Sequence, residues 1–129
     1  MAYLTAERNT PERIGHVLAF PAAADIYAGA LVAVNSDGAA IPASASSGTV
    51  AGRAENTAAA GERVSVRIGC FAFDGDNITL ADTGKTVYVV DDHTVALTGT
   101  VKAGTVYGVD EEGVWVDIRP AAAAAAAAE

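Results

Sequence analysis

One stretch decides the fold: Arg63-Val64-Ser65-Val66-Arg67-Ile68, in which polar and apolar side chains alternate strictly. Successive side chains of a β-strand point to opposite faces of the sheet, so the pattern predicts a strand with Val64, Val66 and Ile68 turned inward. Near the other end of the chain, Val114-Trp115-Val116-Asp117-Ile118 repeats the alternation. Both stretches predict a sheet whose inner face is filled by apolar side chains.

Around these two stretches, short apolar runs end in clusters of Gly, Asp and Asn, which are turn signals. The runs cover residues 17–20, 31–34, 71–73 and 86–90, and the clusters cover residues 35–38, 74–77 and 91–93. Val and Ile together number 21, against 5 Leu, and β-branched side chains favour strands. The sequence therefore predicts an all-β fold, either a small β-barrel or a β-sandwich.

The strand pattern occurs twice along the chain. Three segments recur in the same order: residues 29–34 with 84–89, residues 49–52 with 105–108, and residues 64–68 with 114–118. We expect two related β units, at about residues 29–68 and 84–118, packed into one core within a β domain of residues 16–120. Chance similarity between short Val-rich strands is the alternative.

The two ends of the chain differ from this β domain. Residues 1–15 are polar and follow no period, which predicts an extended N-terminal arm that orders on a neighbouring subunit; a frayed terminus is the alternative. Candidate partner contacts in the arm are Tyr3, Leu4, Arg8, Arg13 and Ile14. Residues 121–129 are eight Ala and a terminal Glu, a tail whose origin the sequence does not reveal.

Charge and cysteine content exclude several classes of function. The net charge of −8 argues against direct nucleic-acid binding, which uses Lys and Arg to displace counterions from phosphates, and against docking on an anionic membrane. Cys70 is the single cysteine, so no intrachain disulfide can form. The N-terminus lacks the apolar core of a signal peptide, and we therefore expect a protein made in a reducing cytoplasm.

Residues suited to catalysis or metal binding are few. His93 lies beside Asp91 and Asp92, where a hydrolase would need a concave pocket, but the pattern is typical of a solvated hairpin tip. Residues 74–77 place carboxylates at the spacing of a calcium loop without its later Gly and Glu, so we expect a tight turn instead. Cys70 is expected to be a small buried apolar side chain. We predict no enzyme, no cofactor, and neither a catalytic nor a metal site.

Two aromatic side chains are predicted on the outer face of the sheet. Trp115 alternates with Val114 and Val116, and Tyr88 is out of phase with its Val neighbours. A large aromatic side chain outside the core is typical of a contact surface, so Tyr88 and Trp115 are further candidate partner contacts. The alternative is a second, minor core under a loop.

Several short motifs together resemble a known family. They are Val50-Ala51-Gly52-Arg53-Ala54, Ala60-Gly61-Glu62, Val64-Ser65-Val66 and Gly69-Cys70-Phe71. In this order they are similar to the small tailed-phage capsid cement, or head-decoration, proteins, over about residues 15–119. The resemblance implies a non-enzymatic protein of the virion, bound to the outside of the phage head and assembled in the bacterial host cytoplasm. It also implies contact with the major capsid protein and with copies of itself, as a dimer or trimer.

Three other functions remain open from the residues alone. A tail-tube or baseplate β domain would also be structural, and its copy number per particle would differ. A small-ligand-binding β-barrel would need polar groups that converge inside, whereas the predicted inward positions are apolar. An enzyme would use His93 with Asp91 or Asp92.

Overall fold

The chain is all-β, as the alternation predicts. The computed structural model describes Tyr3, residues 5–7 and residues 17–119. Within these residues the strands are β1 Val17–Pro21, β2 Leu31–Val34, β3 Ala40–Pro42, β4 Val50–Ala54, β5 Arg63–Arg67, β6 Gly69–Asp76, β7 Thr86–Asp91, β8 Thr94–Ala96, β9 Lys102–Asp110 and β10 Gly113–Ile118. One short 3-10 turn, Leu80–Asp82, lies between β6 and β7.

The strands form two units with the same order. In the first unit the order is β1-β5-β4-β2-β3, and in the second β6-β10-β9-β7-β8 closes into a barrel. Equivalent cross-strand pairs occur in both: Phe20 with Val64 and Phe73 with Val114, and Val34 with Ala40 and Val89 with Val95. Each unit thus contains one strand, β1 or β6, that precedes the segments matched in the sequence. That the two units arose by duplication stays a prediction.

The register corrects one of the three sequence matches. Gly52 pairs with Val32 in the first unit, and its equivalent in the second is Gly104, which pairs with Val87. The sequence match of Gly52 with Gly108 is therefore wrong by four residues. A Cβ atom on Gly52 or Gly104 would come within 3.0 Å of a carbonyl oxygen on the neighbouring strand, so both positions need glycine for close backbone approach.

The apolar alternation fills the core as predicted, with one exception. Val64, Val66, Val114, Val116 and Ile118 are all buried. Ile68, which the pattern also turns inward, lies beyond the end of β5 and is only half-buried, because the chain there turns from one unit into the next. Four buried side chains of the first unit join the core of the barrel, which ties the units together: Leu31, Ala33, Ala43 and Val50.

Residues 74–77 do not form the predicted tight turn. Asp74, Gly75 and Asp76 continue β6 and pair in parallel with β8, which closes the barrel. The chain leaves the strand at Asn77, whose φ of 61° is left-handed. Position 75 requires glycine, because a Cβ atom there would collide with the Val114 side chain on β10.

Closure is weaker in the first unit, where the corresponding strands meet only at the bridge between Ala22 and Ala40. In the barrel, the Asp74 N–H donates to the His93 carbonyl (2.9 Å). Pro21 occupies the position equivalent to Asp74 and has no N–H to donate. Among the described residues, the first unit therefore stays open along β1.

Candidate contact surfaces and the junction pocket

The predicted contact residues are not brought together into one site. Tyr3 is exposed, while Leu4, Arg8, Arg13 and Ile14 lie outside the described residues. Trp115 and Tyr88 lie on the outer face of the barrel, as their phase predicts, but each is half-buried. The Trp115 Nε1–H donates to Asp110 Oδ2 (2.9 Å), and Tyr88 packs closely against Gly99. Both rings are therefore anchored on their own barrel and present only part of their surface.

Within residues 17–119, three strongly exposed apolar side chains were missed by the sequence reasoning: Tyr27, Leu80 and Tyr107. Tyr107 on β9 has 71% of its surface exposed, and Tyr27 and Leu80 have 67% and 64%. Tyr27 and Leu80 occupy corresponding places, since each lies in the loop that follows the first strand of its unit. Each loop carries two large apolar side chains before its Gly, Ile26 with Tyr27 and Ile78 with Leu80, and no pattern in the sequence tells which of the two is exposed.

Hydrogen bonds hold both loops in place. Next to Tyr27, the Ala28 N–H donates to Thr57 Oγ1 (3.0 Å), and Ile26 bridges Ala58. Next to Leu80, the side chain of Asp82 accepts hydrogen bonds from the Thr79 N–H (2.9 Å) and from Lys85 Nζ (2.9 Å).

The Thr79 hydrogen bond, followed by the Lys85 ammonium, holds the pKa of the Asp82 carboxyl below its usual range. This carboxylate is ionised at neutral pH and fixes the turn. Both exposed apolar side chains are thus presented by ordered loops.

A pocket of about 320 Å³ lies where the chain passes from the first unit to the second. It is lined by residues 67–71 and Arg119. At Phe71, one of these lining residues, the Arg53 guanidinium stacks on the ring, 4.1 Å from its centre, and pairs with Glu55. Arg67 Nη1 lies 3.6 Å from the same carboxylate. These contacts lock β4 of the first unit against β6 of the second.

The charged side chains that line this pocket are paired with carboxylates, and its titratable thiol is protonated. Arg119 Nε donates to Asp117 Oδ2 (3.1 Å) and lies 2.9 Å from Oδ1, so its charge is already paired. Burial, and then the Asp117 carboxylate, raise the pKa of the Cys70 thiol, while Arg119 opposes them. The protonated thiol is a poor nucleophile. The pocket thus offers two arginine side chains beside an apolar wall.

The cluster of Asp91, Asp92 and His93 lies at the turn between β7 and β8, and its ligand atoms fall within 4.8 Å of one another. His93 Nδ1 lies 3.0 Å from Asp92 Oδ1 and 3.1 Å from Asp91 Oδ1. The hydrogen bond with Asp92, then the Asp91 charge, raise the pKa of the His93 imidazole. The two carboxylates thus stabilise the protonated ring, in which the Nδ1–H can donate to Asp92 Oδ1.

The backbone of this turn holds the two units together. The Asp92 carbonyl accepts from the Leu31 N–H of the first unit (2.8 Å), and the His93 carbonyl accepts from the Asp74 N–H (2.9 Å). Its side chains pair with one another while its carbonyls join strands, and this geometry is typical of a structural turn.

Comparison of the chain with protein-family models, with curated proteins and with solved structures gives no match. Within the described part of the chain, no helix has the length and apolar character needed to cross a membrane.

Proposed function

We propose that this chain is a structural virion protein: a capsid cement, or decoration, protein that binds the outside of a tailed-phage head and stabilises contacts between major capsid subunits. The family resemblance supports this, and its motifs fall on β4, on the turn before β5, on β5 and on the start of β6. Two of these residues, Arg53 on β4 and Phe71 on β6, are in contact across the junction between the two units.

One observation carries the proposal: the two units share a strand order, and each presents a large exposed apolar side chain from its equivalent loop. Tyr27 and Leu80 supply two similar contact points on one chain. Aromatic side chains such as Tyr27 are enriched at protein–protein interfaces, and Leu80 is its counterpart in the second unit. Two similar surfaces suit a partner that is itself repeated, and a shell of identical capsid subunits is such a partner. The chain would bridge two neighbouring subunits.

The charge of the protein supports an outer position. A net charge of −8 disfavours contact with packaged DNA, whose phosphates repel carboxylates. Residues 1–14 remain, in this proposal, a tether to the capsid protein or to a sister copy. Assembly takes place in the bacterial host cytoplasm, and neither a cofactor nor an enzymatic step takes part.

The interior of the barrel favours this proposal over a small-ligand-binding barrel. The inward side chains of three barrel strands, Val87, Val95 and Val116, are apolar and buried in a common core. A ligand cavity would instead need polar groups that converge from several strands. A tail-tube or baseplate β domain remains the structural alternative, and the location of the chain on the particle distinguishes it.

The double variant Tyr27→Ser/Leu80→Ser should bind weakly to empty, expanded heads of the phage that encodes the chain. Each substitution removes an exposed apolar contact while leaving the hydrogen bonds of its loop in place, so thermal melting should stay nearly unchanged. Occupancy is measured by sedimenting the heads with bound protein over a range of protein concentrations. Each single variant should lose part of the affinity, and the double variant nearly all of it.

The matched control is Val90→Ser, which removes an exposed apolar side chain from β7, outside both loops. It should bind like the unchanged protein. Equal occupancy by the control and the double variant would contradict the proposed contact surfaces. Failure of the unchanged protein to bind the heads at all would contradict the virion function.

A further inference from the structure

The outer edge of β1 has no partner strand among the described residues. One edge pairs with β5 from Val17 to Pro21, and the other is met only at the bridge between Ala22 and Ala40. The pairing of β6 with β8 shows how an equivalent edge closes in the second unit, and Pro21 prevents the same closure here. Within the part of the chain that the structure describes, residues 17–20 therefore form an open strand edge.

The hydrogen bonds beyond β1 fix which backbone groups point to this edge. The Ala22 N–H donates to the Glu62 carbonyl on the β5 side (2.8 Å), and the Ala23 N–H donates to the Ala40 carbonyl on the opposite side (2.9 Å). Backbone groups alternate in direction along a strand. The N–H and carbonyl groups of Val17 and Ala19 therefore point outward, and those of Leu18 point to β5.

The side chains of this edge are apolar and unprotected. Val17 and Leu18 are 47% and 48% exposed, and no charged residue occurs from position 17 to position 24. Leu18 is exposed although it lies on the same face as the buried Val66, with which it pairs. Natural edge strands usually carry charges or bulges that prevent pairing with another chain. An edge without them is suited to pairing.

We propose that β1 pairs with β1 of a second copy of this chain, antiparallel, about a two-fold axis that passes beside Leu18. In this register Val17 lies opposite Ala19 of the second copy, and the outward N–H and carbonyl groups of both residues are satisfied. The two Leu18 side chains then meet as a non-hydrogen-bonded pair, the closest kind of cross-strand contact. The two first units become one continuous sheet.

A second copy fits this edge better than another partner because the segment complements itself. It is uncharged, so two copies of an acidic protein meet there without direct repulsion between carboxylates. On the outer face, Arg67 of one copy would stand in line with Ser65 of the other, since these residues pair with Val17 and Ala19 respectively. Two like charges therefore do not oppose each other. The pairing does not depend on the virion function.

The test is disulfide trapping in the full chain, with Cys70→Ser to remove the native thiol. Leu18→Cys places two thiols on the two-fold axis, where Cα atoms of a non-hydrogen-bonded pair are about 4.5 Å apart, within the range of a disulfide. Mild oxidation should convert most of this protein to a covalent dimer on a non-reducing gel. Val17→Cys is the matched control. In the proposed register its two Cα atoms are roughly 9 Å apart, too far to be bridged, and it should remain monomeric.

Sedimentation gives the second measurement, free of introduced thiols. The unchanged protein should sediment as a dimer and Leu18→Asp as a monomer that still unfolds in a cooperative thermal transition, because Leu18 is half-exposed. Equal cross-linking of both cysteine variants, or of neither, would overturn the register. A monomeric unchanged protein would overturn the dimer, and so would a dimer that loses its association on deletion of residues 1–14 but not with Leu18→Asp.

Discussion

Replacing Val66 by Asp should prevent the chain from folding at room temperature. Val66 is 2% exposed and lies at the centre of the inner face of β5, packed in the apolar core of the first unit. A carboxylate there would be buried without a partner, and such substitutions commonly cost more than about 4 kcal/mol. A domain of this size is stable by only about 5–15 kcal/mol. Circular dichroism should show a lost or strongly lowered thermal transition.

The matched control is Ser65→Asp, one residue earlier on the same strand. Ser65 lies on the outer face between Arg63 and Arg67, so the new carboxylate faces solvent and two cations. Its effect on the free energy of unfolding should stay within about 0.5 kcal/mol. If Ser65→Asp proved the more damaging of the two, the inner and outer faces of β5 would be exchanged.

Replacing Gly104 by Ala should produce the second large effect. A Cβ atom at position 104 would lie within 3.0 Å of the Asp117 carbonyl oxygen. The backbone of β9 fixes the position of this Cβ atom, and the oxygen belongs to the backbone of β10. Because neither can move without separating β9 from β10, the overpacking should cost about 1–3 kcal/mol or more. Urea unfolding, followed by the fluorescence of Trp115 on β10, measures the loss.

Gly108 provides a control on the same strand, since a Cβ atom there meets no atom within 4 Å. Gly108→Ala should change the free energy of unfolding by less than about 0.5 kcal/mol. Gly52→Ala, at the equivalent position of the first unit, should be as damaging as Gly104→Ala. A larger loss at Gly108 than at Gly104 would contradict the register that makes Gly52 and Gly104 equivalent.

The sequence predicts the strands well where a single face is buried. In β5 and β10 the alternation of valine with polar residues identifies both the strand and its inner face. Ile68 departs from the pattern because the chain changes units there, and periodicity carries no information on where a sheet ends. The junction pocket follows from that crossing and is likewise invisible in local sequence.

Register and closure depend on contacts between distant residues, and here sequence reasoning failed. The strand β9 contains two glycines, Gly104 and Gly108, and a local match selects the one with similar neighbours rather than the one that touches backbone. Residues 74–77 have the composition of a turn, but pairing with β8 makes most of them a strand. Tyr27 and Leu80 escaped notice because exposure in a loop has no periodic signature.

The most direct measurement of the proposed function is electron cryo-microscopy of native heads of the phage that encodes the chain. We expect density for the chain on the outer surface, with its two units over two neighbouring capsid subunits and with Tyr27 and Leu80 at the two contacts. Phage particles with the chain at another place, such as the tail, would contradict the proposal. Heads that bind the chain through only one of its two units would also contradict it.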